Sequence, residues 1–145
     1  MNTKCYRAWP LVGRILLSAI FIMSGVHKVF SWNQTSEQMA NEGMVMIPLF
    51  LVGAILCEVG GGLSVLLGCW ARVGAMVLIA FLIPTTLIFH DFWTYEGQEQ
   101  QMQMAHFMKN LAIMGGLVLV LSFGAGPISV NDRSTVASPS TEPSQ

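Results

Sequence analysis

Four long apolar runs separated by short polar stretches dominate the chain, at residues 10–30, 44–68, 73–90 and 104–123. A helix of about 20 apolar residues crosses the hydrocarbon core of a bilayer, because it rises about 1.5 Å per residue. The pattern therefore predicts an all-α integral membrane protein, a bundle of four transmembrane helices with short loops. One membrane domain is predicted over residues 1–127. Residues 128–145 are rich in serine, threonine and proline, which predicts a disordered polar tail.

Composition supports the membrane assignment, since 53% of the residues are hydrophobic and only 10% are charged. Soluble domains carry about 25% charged residues. The net charge of −1 and the lack of any run of lysine or arginine argue against a nucleic-acid partner. The partner that composition indicates is the lipid bilayer.

The distribution of charge between the runs predicts the orientation. Basic residues lie before the first run, between the second and third, and after the fourth: Lys4, Arg7, Arg72 and Arg133. The other two connections carry only acidic charge, including Glu37, Glu42, Glu96 and Glu99. Loops rich in lysine and arginine stay in the cytoplasm, so both termini are expected there.

Two charged residues, Arg14 and Glu58, lie inside the first two runs, away from the outer ends of those runs. Glu58 lies in the middle of the second run, where a charge costs about 2.5–3.5 kcal/mol to insert. Arg14 lies in the inner part of the first run. Counting helical rise from the inner ends of two antiparallel spans places their backbones about half a dozen ångströms apart in height. We therefore expect Arg14 and Glu58 to form a structural ion pair that joins the two spans.

Glycines inside the runs are expected at helix contacts, because a missing side chain lets two helices approach closely in a membrane. The predicted packing positions are Gly25, Gly60, Gly61, Gly62, Gly115 and Gly116.

A second group of polar residues lies at the outer ends of three runs. It comprises His27 and Lys28, His90 and Asp91, and His106 and Lys109. One interpretation is a pocket open to the outer side, cationic through its lysines and proton-exchanging through its histidines. Such a pocket suits a quinone headgroup or an anionic small molecule. Zinc held by three histidines, or by two histidines and the aspartate, is stereochemically conceivable, but no spacing requires it and no metal site is predicted. The alternative is that the lysines snorkel at helix ends and the histidines are interfacial.

Several short motifs, taken in order, resemble the DoxX family of small four-span bacterial membrane proteins. The first half contributes Gly13-Arg14, residues 21–28 with Gly25-Val26-His27-Lys28, Glu58 to Gly62, and Leu66-Leu67-Gly68. The second half contributes Arg72, Gly74-Ala75, His90 to Trp93, Lys109 to Leu111, Gly115-Gly116 and Gly124 to Pro127. The resemblance implies a bacterial inner-membrane location.

The resemblance also implies a link to quinol oxidation, oxidant stress or quinone resistance. The chain lacks a CxxC motif, so we expect it not to be an enzyme on its own. If redox-active, it would be a subunit of an oxidoreductase complex with a soluble or membrane partner, and quinone is the cofactor to consider. The alternatives are a non-enzymatic scaffold or assembly partner, alone or as a homo-oligomer, and a small transporter. The chain shows no inverted repeat of the transporter kind.

Overall fold

The structure is a computed structural model that describes the backbone of residues 3–131 and the side chains of residues 7–131. Within that range the chain forms five α-helices, one 3₁₀ turn and no strand. The helices are α1 (Thr3–Phe30), α2 (Trp32–Asn41), α3 (Ile47–Leu67), α4 (Ala71–Phe89) and α5 (Gly97–Phe123), and the 3₁₀ turn is Phe92–Thr94. In the described chain α1, α3, α4 and α5 are long and apolar enough to cross a membrane. The predicted all-α bundle of four spans is confirmed.

The helices pack in chain order, α1 on α3, α3 on α4 and α4 on α5, while α1 and α5 have few contacts. We call the end that holds the last turn of α1 and the first turn of α3 the pocket end, and the opposite end the terminal end. Apolar side chains from all four spans form the core: Phe21, Val65, Ala75, Leu78, Leu82 and Leu117. Many large apolar side chains on the outside are exposed, as lipid-facing positions of a membrane bundle are.

The stretch predicted as a polar connection, residues 31–43, contains the helix α2. It has no proline or glycine before Gly43, whose positive φ of 72° ends the helical stretch. Met39 is buried, and α2 packs against α3. The polar character of this stretch therefore reflects a helix at the rim of the bundle.

The fourth span also differs from its prediction, because α5 begins at Gly97 and not at residue 104. Its added turns are rich in glutamine, a good helix former, and Glu99 in the first turn interacts favourably with the helix dipole. These polar turns place additional side chains at the pocket end.

Three of the six glycines proposed for packing lie tightly between helices. A Cβ atom on Gly25 would lie 2.6 Å from Val59 Cγ2, and one on Gly61 would lie 2.8 Å from Leu78 Cγ. A Cβ atom on Gly62 would lie 2.9 Å from Ile22 Cγ1. Gly62 and Gly25 thus bring α3 against α1, while Gly61 brings it against α4.

The packing prediction is wrong for Gly60 and Gly115, where an added Cβ atom meets no described heavy atom within 4 Å. Successive helical residues point about 100° apart, so three consecutive glycines cannot all face neighbouring helices. Gly61 and Gly62 face α4 and α1, which leaves Gly60 pointing away. Gly115 likewise points away while Gly116 faces Leu17, 3.2 Å from its would-be Cβ atom.

The fold continues past the predicted domain boundary at residue 127. Ser129 is buried, and the carbonyl oxygen of Ile128 accepts a hydrogen bond from Arg14. The first residues assigned to the tail therefore pack against the terminal end of the bundle. Residues 132–145 of the predicted disordered tail lie outside the described residues.

Candidate functional site

Glu58 is buried on α3, and its partner is Lys28. Lys28 Nζ lies 2.9 Å from each carboxylate oxygen of Glu58. Ser24, one turn before Lys28 on α1, donates to Glu58 Oε1 at 3.0 Å and accepts from Lys28 Nζ at 2.8 Å. The Glu58 carboxylate is therefore held by charge-assisted hydrogen bonds from one face of α1, which are stronger than neutral ones.

The predicted ion pair between Arg14 and Glu58 is wrong. Arg14 Nη1 contacts Gly68, at the C-terminal end of α3, and Arg14 Nη2 donates to the carbonyl oxygen of Ile128 at 2.7 Å. Ten residues separate Gly68 from Glu58, which corresponds to about 15 Å of helical rise. Arg14 and Glu58 therefore lie at different ends of the α1–α3 interface.

A cavity of about 630 Å³ opens beside Glu58 at the pocket end. All five helices contribute to its wall. Its apolar part includes Ile20, Phe21, Leu82 and Ile113, and its polar part includes Ser24, Lys28, Glu58, His90, Gln103, His106, Lys109 and Asn110. Four of the six residues proposed for the pocket therefore line this cavity: Lys28, His90, His106 and Lys109.

His27 and Asp91, the other two proposed pocket residues, do not line the cavity. His27 is exposed, and its Nε2 lies 3.4 Å from Ser31 Oγ. His27 immediately precedes Lys28 on α1, and helical side chains one residue apart point about 100° apart. Asp91 precedes the 3₁₀ turn, where Thr94 Oγ1 donates to its Oδ2 at 3.1 Å. Asp91 thus stabilises a turn at the rim.

The two histidines of the cavity stack on each other, with ring centroids 5.1 Å apart. His90 Nδ1 lies 2.9 Å from Gln103 Oε1, an acceptor, so this nitrogen carries the proton in neutral His90. His106 Nδ1 lies 3.3 Å from Lys109 Nζ, which can only donate, so neutral His106 carries its proton on Nε2. These assignments follow from the hydrogen-bond network. They leave an acceptor on His90 and a donor on His106.

Below the histidines, Asn110 of α5 donates to Thr86 Oγ1 of α4 at 3.0 Å, and both side chains are buried. This bond joins two spans at the floor of the cavity. Asn110, Ser24 and Gln103 are the site residues that the sequence-based prediction omits. An amide within an apolar run is a signal for Asn110, since a buried polar group in a membrane needs a partner. Ser24 has the weaker signal of lying one turn from Lys28.

The zinc arrangements considered from the sequence do not assemble. His27 and Asp91 lie apart from the stacked His90 and His106. Among the described residues, no three histidine, cysteine, aspartate or glutamate side chains come together as a metal-binding group.

Comparison with known proteins gives consistent matches across the chain. The sequence profile of the DoxX family matches residues 9–91. Inner membrane protein YqjF of Escherichia coli K12 is 37% identical over 123 residues, covering 83% of this chain and 88% of that protein. Inner membrane protein YphA of the same organism is 32% identical over 123 residues, covering 85% of this chain and 88% of that protein.

A more distant match is the Surfeit locus protein 4 homolog of Drosophila melanogaster, 25% identical over 125 residues. This match covers 85% of the chain and 40% of the longer fly protein. No solved structure matches the chain at a significant level.

Proposed function

This chain belongs to the DoxX family and is an integral, multi-pass protein of the bacterial inner membrane, and from that premise we propose that its cavity binds a quinone-type small molecule. In this proposal the protein is a subunit of a redox or oxidant-detoxification system that depends on a partner for electron transfer.

The observation that carries the proposal is the combination of apolar and hydrogen-bonding surfaces in one cavity of about 630 Å³. Small-molecule sites typically measure about 300–1,000 Å³ and combine an apolar lining with a few polar groups. A quinone ring has apolar faces and two carbonyl oxygens that only accept hydrogen bonds. Ile113 and Phe21 suit the ring faces, while Lys109, His106 and Asn110 offer donors.

Lys109 is the donor with most freedom to meet a ligand. Lys28 uses its ammonium group on Ser24 and both oxygens of Glu58. Lys109 is exposed, and its hydrogen bond within the described chain is the 3.3 Å contact with His106. We therefore assign Lys28 to holding the cavity wall and Lys109 to contacting a headgroup.

Proton exchange is the chemistry that these side chains can supply. Reduction of a quinone to a quinol takes up two electrons and two protons. The Nε2 donor of His106 and the Nε2 acceptor of His90 suit the delivery and removal of protons at a carbonyl oxygen. The electrons come from a redox partner in this proposal, which makes the protein a binding subunit.

We also infer that both termini face the cytoplasm and that the pocket end faces the periplasm. Basic Arg7 and Arg72 lie at the terminal end, whereas the two connections at the pocket end, residues 31–43 and 91–103, carry acidic residues and no lysine or arginine. Partial burial, followed by the nearby carboxylates of Asp91, Glu42 and Glu99, raises the pKa of Tyr95 at that end. A green fluorescent protein fused after residue 145 should fluoresce. A dark fusion at that position, together with a fluorescent fusion in the loop at residue 96, would show the opposite orientation.

Calorimetric titration of the purified protein in detergent with ubiquinone-1 or menadione tests the binding proposal. We expect saturable binding to one site, with the Kd raised roughly tenfold in Lys109→Ala because one hydrogen bond from a charged group is lost. Arg7→Ala, which removes an exposed cation at the opposite end, is the matched control and should bind normally. A folded protein without saturable binding would favour the scaffold alternative. Equal affinities in all three proteins would contradict the role assigned to Lys109.

A further inference from the structure

A second cavity, of about 420 Å³, lies at the terminal end of the bundle, at the opposite end from the cavity proposed to bind a quinone. Three segments form it: the loop after α3, the first turn of α4 and the chain after α5. Its wall includes Gly68, Trp70, Arg72, Gly124, Ala125 and Ser129. Arg72 is exposed there and reaches the carbonyl oxygen of Ser122 only at 3.5 Å, which leaves most of its donors available within the described chain.

The start of α4 adds backbone donors to this cavity. The helix begins at Ala71 after Trp70, whose φ is 54°, and no described side chain caps it. Ala71, Arg72 and Val73 line the cavity, and the first amide to bond within the turn is that of Gly74, to Trp70 O at 3.0 Å. The first-turn amides of a helix lack helical acceptors, and the helix dipole favours an anion there.

An independent observation is a buried guanidinium group that is only partly hydrogen-bonded within the described chain. Arg14 is 2% exposed, and its Nε and Nη1 have no hydrogen-bond partner among the described residues. Its Nη1 lies against Gly68, at the point where the side chains of Ala125 and Ser129 also converge. All three of these residues line the cavity, so Nη1 of Arg14, which has no partner among the described residues, lies directly behind its wall. A buried charge without a counter-ion is destabilising, and an anion on the other side of the wall would offset that cost.

We propose that this cavity binds an oxoanion of the phosphate class. Arg72 and the first-turn amides of α4 contact the oxygens, and Arg14 contributes its charge from behind Gly68. Two sources present this chemistry at a helix end near the bilayer surface: the headgroup of an anionic phospholipid and free inorganic phosphate. Gly68 and Gly124 leave room for the two arginine side chains. A side chain at Gly68 would collide with Arg14, and one at Gly124 would contact Arg72.

Thermal unfolding of the full-length protein in detergent tests the site and separates the two sources. The protein is stripped of lipid, and the melting temperature is then followed against phosphatidylglycerol, phosphatidylcholine, and inorganic phosphate with chloride at matched ionic strength. Arg72→Gln is the test variant, because Arg72 is exposed and its loss leaves the core intact. Arg7→Gln is the matched control, an exposed arginine at the same end and outside the cavity.

A headgroup site predicts stabilisation by phosphatidylglycerol alone, and a free-anion site predicts stabilisation by inorganic phosphate with no further gain from the lipid. In either case Arg72→Gln should raise the half-saturating concentration roughly tenfold, since a hydrogen bond from a charged donor is lost, and Arg7→Gln should not. The proposal is overturned if none of the anions stabilises the protein. It is equally overturned if the two arginine variants weaken the response to the same extent, which would indicate surface charge alone.

Discussion

The α1–α3 interface holds two buried charged side chains, Glu58 and Arg14, and the two differ in the partners that stabilise them. At the pocket end, Glu58 receives three hydrogen bonds from Lys28 and Ser24, all on α1. At the terminal end, the hydrogen bond that Arg14 donates within the described residues goes to the carbonyl oxygen of Ile128, beyond α5. The charge of Glu58 is thus neutralised within one helix pair, whereas Arg14 depends on a distant segment. Stability at the pocket end is therefore local, whereas the terminal end is where we propose that an anion binds.

The largest expected effect comes from removing Lys28. Lys28→Leu leaves the Glu58 carboxylate buried and unpaired, which should lower the free energy of unfolding by about 3–5 kcal/mol. The double variant Lys28→Leu/Glu58→Leu removes both charges and should recover most of that loss. Unfolding in mixed detergent micelles measures both. A double variant as unstable as the single one would mean that Lys28 is not the partner of Glu58.

A smaller effect is expected from separating the helices at the same level. A Cβ atom on Gly25 would lie 2.6 Å from Val59 Cγ2 and 3.3 Å from Glu58 Cβ, so Gly25→Ala forces α1 away from α3 beside the ion pair. Overpacking of this kind costs about 1–3 kcal/mol. Gly60→Ala, whose side chain meets no described atom within 4 Å, is the control and should be neutral or slightly stabilising. Equal destabilisation by the two variants would contradict the packing described for α1 and α3.

The smallest effect concerns the neutral bond between α4 and α5. Thr86→Val keeps the shape of the side chain but leaves the Asn110 amide without its acceptor, which should cost about 1–2 kcal/mol. Thr85→Val is the matched control, because Thr85 Oγ1 bonds the carbonyl oxygen of Phe81 within its own helix. The same unfolding assay compares the two. A loss for Thr86→Val as large as that for Lys28→Leu would mean that charge is not what distinguishes the pocket end.

Hydropathy predicts the four spans well because the thickness of a bilayer sets the length of a spanning helix. Hydropathy does not identify α2, since a polar stretch at the rim of the bundle can have the same composition whether it forms a helix or a loop. The Arg14–Glu58 prediction failed for a geometric reason. Heights counted from assumed span ends ignore the offset between helices, which is determined by close contacts such as Gly25 with Val59 and Gly62 with Ile22.

The cavity is partly visible in the sequence. Lys28, His90, His106 and Lys109 all line the cavity at the pocket end. The position of polar residues at the ends of the apolar runs indicates this grouping. Rotation about each helix decides which of two neighbours faces inward, and this excluded His27 from the wall. Glu58 also lines the cavity, where it pairs with Lys28. The sequence-based prediction misjudged the offset between α1 and α3, and it therefore paired Glu58 with Arg14 and not with Lys28.

Identifying the molecule that the protein retains after purification tests directly whether the pocket-end cavity holds a quinone. Mass spectrometry of the organic extract would compare the wild-type protein with Ala54→Trp, which fills the cavity, and with Ala80→Trp, which faces lipid. We expect a quinone in near-stoichiometric amounts with the wild-type protein and Ala80→Trp, and its loss from Ala54→Trp. Absence of quinone from the wild-type extract, or equal amounts in both folded variants, would contradict it.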